Sequence, residues 1–70
     1  MLYCVPSVVS YAELCGNDDF DGFDIHFHVF DTIDSALRYY ANTPNTQPII
    51  TASNAAELKS KQQAFTAKYN

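Results

Sequence analysis

Two short stretches of this chain carry residue types capable of chemistry. The first is Asn17-Asp18-Asp19-Phe20-Asp21-Gly22. It offers side-chain oxygens at alternate positions and then a glycine, as the opening of a calcium loop does. The resemblance stops at the twelfth position, which is His28 where such a loop needs a bidentate Glu, and the following residues read as a strand. The segment therefore reads as an acidic turn. The second stretch is His26-x-His28. On an extended backbone it sets two imidazoles on one face, about 6.6 Å apart. Zinc takes such pairs but needs a third and usually a fourth ligand. Asp24 shares the face, so a small metal module built from Asp19, Asp21, His26 or His28 stands as an alternative. A solvent-facing or partner-facing histidine pair is the simpler reading.

Covalent and acid–base catalysis find little footing. Gly16 and Gly22 are the two glycines, so there is no glycine-rich phosphate loop. No Ser or Cys stands in a nucleophile motif, and the carboxylates suit a surface better than a desolvated pair. Cys4 and Cys15 have apolar neighbours and no Lys or Arg within twenty residues, so the sequence shows no cation that would activate either as a nucleophile. They read as free thiols and small buried hydrophobes in a reducing cytoplasm, ahead of the alternative of one Cys4–Cys15 disulfide closing a short loop. The expectation is a non-enzymatic protein with no cofactor.

Charge is the least random property. Residues 1–37 hold seven carboxylates and no Lys or Arg, whereas residues 38–70 hold Arg38, Lys59, Lys61 and Lys68 against Glu57 alone. A one-sign cluster costs self-repulsion and steers the protein toward an opposite surface. The net charge of -4 excludes a protein that holds nucleic acid by neutralising phosphates. The acidic cluster points instead to a basic protein surface. Asp18, Asp19, Phe20, Asp21, Asp24, His26, His28, Asp34 and an outward Tyr39 are the expected partner-binding residues. Self-compensation by the basic C-terminal segment, within the chain or in a homodimer, is the competing reading.

The elements that must position these residues are legible in part. The 70 residues, 47% of them hydrophobic, make one domain. No apolar run is long enough to span a membrane, and no positively charged signal-peptide start is seen. Leu2 to Val9 reads as a strand, at an edge or broken at Pro6, which lacks a ladder donor. Ser10 and Glu13 form a capping box for a short helix 11–15 that Gly16 stops, with Val9 and Leu14 at the staple positions. Phe23 to Phe30 alternates strictly, with Phe23, Ile25, Phe27 and Val29 as the core face. A helix at about 32–42, capped by Asp31 or Thr32, presents Ile33, Ala36, Leu37 and Tyr40 on one side. Pro48 to Ala52 is a short strand. Asn54 and Glu57 open a last helix with a thin stripe of Ala55, Leu58, Phe65 and Tyr69, interrupted by Gln62. The fold class is α+β, in the order β-α-β-α-β-α, a small three-stranded sheet with helices on one face. The thin last stripe leaves residues 54–70 as an alternative homodimer contact.

The whole chain resembles small phage and mobile-element inhibitors of the anti-CRISPR type. The resemblance lies in a 70-residue acidic chain starting at Met1, a strand running into the helix start Phe30-Asp31-Thr32-Ile33-Asp34-Ser35-Ala36-Leu37, and no catalytic motif. It is one of size, charge and style, and carries no residue roles. It implies a cytoplasmic protein that blocks a Lys/Arg-rich, nucleic-acid-binding surface of a host or defence complex.

Overall fold

The fold is built around its first strand. β1 (Leu2–Ser10) lies between β2 (Phe23–Phe30) and β3 (Ile50–Ala52), and both neighbours run antiparallel to it. This computed structural model describes residues 1–16 and 21–69. Between the strands lie α1 (Tyr11–Cys15), α2 (Ile33–Asn42) and, after β3, α3 (Ala55–Ala67). The α+β class, the three strands and the element order agree with the sequence pattern.

The helix starts follow from side-chain caps. Ser10 Oγ accepts from the Glu13 N–H at 3.1 Å, Thr32 Oγ1 from the Ser35 N–H at 3.3 Å, and Asn54 Oδ1 from the Glu57 N–H at 2.8 Å. Each supplies one acceptor to the first turn, whose N–H groups have no partner within the helix. Gly16 ends α1 at φ 68° and donates its N–H to the Ala12 carbonyl, the left-handed geometry that glycine adopts without a Cβ penalty. At Gly22, φ is 100° and an added Cβ would lie 3.2 Å from the Tyr11 ring. The neighbouring Tyr11 N–H donates to the Gly22 carbonyl at 3.0 Å, extending the β1–β2 pairing by one step.

Pro6 neither breaks β1 nor places it at an edge. It is buried, pairs with Phe27, and sits in the central strand. Its carbonyl accepts from the Gln47 N–H at 2.8 Å, so its donorless nitrogen faces the 45–50 segment. There the pairing slips by one residue between Cys4↔Ile50 and Ser7↔Thr46. Proline is tolerated because it meets an irregularity rather than a regular ladder. The same slip, with Pro48 inside it, confines β3 to Ile50–Ala52 instead of 48–52.

The helices lie on both faces of the sheet, not on one. Phe27 packs edge-on against Phe65 of α3 with ring centroids 5.8 Å apart. Its neighbour His28 lies 4.6 Å from the Tyr39 ring of α2. Adjacent strand residues point to opposite faces, so α3 and α2 cover opposite sides. Cys4 and Val5 are likewise both 0% exposed. β2 and β3 run parallel, and their connection through α2 must cross β1. That crossing puts α2 on the second face, where Ala36 is fully buried.

On the α3 face the core is Cys4, Ala52 and Leu58, flanked by Leu2, Phe27 and Ile50. Gln62 interrupts the apolar stripe of α3 and directs Nε2 at Cys4 Sγ, 3.6 Å away. Burial pushes the Cys4 thiol up, more than the Gln62 contact lowers it. Cys15, expected to be buried, is exposed, and so is Leu14, because α1 buries no residue.

A domain of this size keeps a net stability of about 3–5 kcal/mol. Leu58→Ala removes the largest aliphatic side chain from the Cys4–Ala52 cluster and should cost about 2–4 kcal/mol. Urea unfolding should then show a much lower midpoint, with a substantial unfolded fraction before denaturant is added. Glu57 gives a second test. Its Oε2 accepts from the Ser53 N–H at 2.9 Å and its Oε1 lies 3.2 Å from Lys61 Nζ. The Ser53 bond first, and Lys61 next, hold its carboxyl below the ordinary value of 4.5. A depressed folded-state pKa contributes stability above the unfolded value and loses it as pH falls through the folded one. The thermal midpoint difference between the protein and Glu57→Ala should therefore be constant above pH 4.5 and shrink below it.

Candidate interaction surface on the outer strand

The strict alternation of β2 decides which candidate residues meet. Asp24, His26, His28 and Phe30 share one face, opposite Val9, Ser7, Val5 and Tyr3 of β1. Asp24 Oδ2 accepts from His26 Nε2 at 2.9 Å. This i, i+2 contact runs along the strand surface, and His26 remains largely exposed.

His28 is held differently. Its ring lies 4.6 Å from the Tyr39 ring at a 38° tilt. Phe30 lies 5.4 Å from the same Tyr39 ring. Tyr39 thus turns inward onto β2, contrary to its expected outward direction. Ile33, Leu37 and Tyr40, expected to face the core, are 40%, 50% and 40% exposed. The short Asp31-Thr32 link brings α2 straight back over β2, and the side that lands on the sheet carries Ala36 and Tyr39. Ala36 admits a close approach, and Tyr39 fills the space beside it. The sequence signal for this was on the strand: two aromatic rings, His28 and Phe30, at alternate positions facing the helix.

The sequence counts Arg38 among its cations but does not place it at this surface. With Phe30, Ser35, Tyr39, Asn42 and Thr43 it lines an open groove of about 440 Å³ beside β2. Among the described residues Arg38 forms no salt bridge. Its position on the β2 side of α2 follows from Tyr39, one residue on, resting against β2.

Asp21 is exposed just before β2, and Asp34 is exposed in the first turn of α2, beyond the other end of β2. Asp34 therefore stands apart from the Asp24–His26–His28–Tyr39 group. Asp18, Asp19 and Phe20 lie outside the described residues. Among the described residues, no three His, Cys, Asp or Glu side chains come together to hold a metal ion.

Two of the three C-terminal lysines, Lys61 in α3 and Lys68 at its end, are engaged locally. Lys61 pairs with Glu57 and donates to the Thr51 carbonyl at 2.6 Å. Lys68 Nζ lies 5.6 Å from the Phe65 ring centroid. Among the described residues, no salt bridge joins these lysines to the acidic first half. The sheet separates α3 from the Asp24–His26 face. The apolar stripe of α3 is also occupied, since Leu58 is buried, Phe65 packs on Phe27, and Tyr69 meets Phe23 at 5.0 Å.

No family model, curated protein or solved structure matches the chain. No helix among the described residues is long and apolar enough to cross a membrane.

The inward Tyr39 sets up a direct comparison. Tyr39→Ala should lose about 2 kcal/mol in urea unfolding, as stacking and burial on His28 and Phe30 go together. Leu37→Ala, on the exposed flank, should stay within about 0.5 kcal/mol. A larger loss at Leu37 would reverse the assignment of the sheet-facing side.

Proposed function

We propose that this protein is a non-enzymatic, cytoplasmic binding module whose acidic end blocks a Lys/Arg-rich surface of a nucleic-acid-processing or defence complex, in the manner of small anti-CRISPR-type inhibitors. One observation carries this reading: among the described residues, the chain's lysines are not paired with the carboxylates of its first half. Uncompensated like charge costs self-repulsion. It gains from association with a surface of opposite sign, mainly through faster encounter and rejection of wrong partners.

Asp21 at the head of β2, with Asp18 and Asp19 before it in sequence, supplies the long-range attraction in this proposal. Asp24 and His26, joined along the strand, supply a short-range polar contact, and Phe20 an apolar one. A free guanidinium or ammonium on the partner would meet these carboxylates. Direct nucleic-acid binding is not part of the proposal, because the same charge would repel phosphates.

The test is affinity capture from the native host at low and high salt, followed by kinetic measurement with the purified partner. Asp18, Asp19 and Asp21 are changed together to Lys, and circular dichroism checks the fold. Association at low salt should slow by a factor on the order of ten to a thousand, and the wild-type rate should fall as salt rises. Full-strength binding by the triple variant, or a salt-independent rate, would remove the acidic end as the contact.

A further inference from the structure

We infer that the outer edge of β2 is a self-complementary docking edge, and that a second copy of this chain pairs with it antiparallel to make a continuous six-stranded sheet about a two-fold axis. The inference rests on the edge strand itself and does not depend on the proposed function. β2 is the long outer strand of the sheet, and its far side has no partner strand among the described residues. An edge of this length is a template for strand addition unless it is short, bulged or guarded by charged side chains, lysine above all, or by proline. β2 pairs regularly with β1 along its whole length and carries no Lys or Pro, and its one carboxylate, Asp24, is a guard only against a partner that does not match its charge. Its side chains include Phe23 at 43% and Val29 at 48% exposure, large apolar groups left uncovered at its two ends.

Symmetry and charge together select one register. A two-fold axis perpendicular to the sheet keeps each face continuous, so residues opposite each other must come from the same face of β2. Two registers of comparable overlap satisfy this. Centred on Phe27, the pairing sets His26 opposite the mate's His28 and Asp24 opposite an aromatic ring. Centred on His26, it sets Asp24 opposite the mate's His28 twice over. On the other face the same register sets Phe23 opposite Val29, and Ile25 opposite Phe27. The second register matches carboxylate with imidazole and joins the two exposed apolar ends, the kinds of cross-strand pair that stabilise a sheet. It also brings the mate's Asp24 to the flank of α2 where Arg38 lines its groove beside Phe30. The arriving carboxylate complements a guanidinium that has no salt bridge among the described residues. The two copies of Asp21 would then lie at opposite ends of the paired β2 strands.

The experiment combines light scattering with register-specific cross-linking. Wild-type protein should move from monomer to dimer as concentration rises from micromolar to millimolar. Val29→Lys, at a position already half exposed, should remain monomeric with an unchanged circular dichroism spectrum. In a Cys15→Ser background, His26→Cys should form an intermolecular disulfide under mild oxidation, because residue 26 faces itself across the axis at cross-strand Cβ spacing. Phe27→Cys should not. A monomer at every concentration, a Val29→Lys protein that still dimerises, or cross-linking at position 27 in place of 26 would each overturn the inference.

Discussion

Burial of both faces of β1 at Cys4, Val5 and Pro6 is the constraint on which the remaining structure depends. A three-stranded sheet has one interior strand, and here that strand is covered from both sides. Each face receives one principal helix. The most buried positions on the two faces include small residues, Ala36 on one side and Ala52 with Cys4 on the other. Small side chains let helix and sheet approach closely, which completes burial at the centre. The edges receive less cover, and several large side chains remain partly exposed on β2, α1 and α2. This is the geometric consequence of dividing a short chain into three layers, since a small domain has little interior to share.

That arrangement explains which parts of the fold were legible in sequence. Elements set by local rules were read closely: the alternating strand 23–30, the caps Ser10, Thr32 and Asn54, and the stop at Gly16. Tertiary choices were not. Leu37 is more hydrophobic than Tyr39, so periodicity alone turns Leu37 inward. The return of α2 over β2 instead brings Tyr39 onto two rings of the neighbouring strand. The placement of helices on both faces did leave a trace. β1 is a nearly continuous apolar run, from Leu2 through Val5 to Val9, while β2 alternates. Continuous runs mark strands covered on both faces. Pro6 obscured that trace, because its place in a central strand requires the one-residue slip between Ile50 and Thr46, which no local pattern announces.

The candidate surface has the same mixed legibility. Alternation alone grouped Asp24, His26 and His28 correctly on one strand face. It could not distinguish the two imidazoles, whose surroundings differ because α2 covers only part of that face. Tyr39 rests on His28, while His26 lies beyond the stack and bonds along the strand to Asp24. Asp34, close to His28 in sequence, is carried beyond the end of β2 by the strand-to-helix turn. Arg38, counted among the basic residues of the second half, was not placed at this surface because an isolated arginine in an acidic sequence suggests ordinary compensation. Its groove exists only once Phe30 and Tyr39 are packed together.

These placements give the sheet an electrostatic role beyond its structural one. Had α3 lain on the same face as Asp24 and His26, its lysines could have reached those side chains, and the charge asymmetry of the sequence would have been partly offset within the fold. With α3 on the far face, Lys61 instead fastens the helix to β3 through the Thr51 carbonyl and to its own first turn through Glu57. The asymmetry written along the chain thus persists at its surface among the described residues. It persists beside a histidine packed under Tyr39 and another left exposed. The packed ring is tied to α2 through Tyr39, and the exposed ring is tied along its own strand to Asp24. Two imidazoles of one strand face are thus held in different ways, on a scaffold supplied by the fully covered first strand.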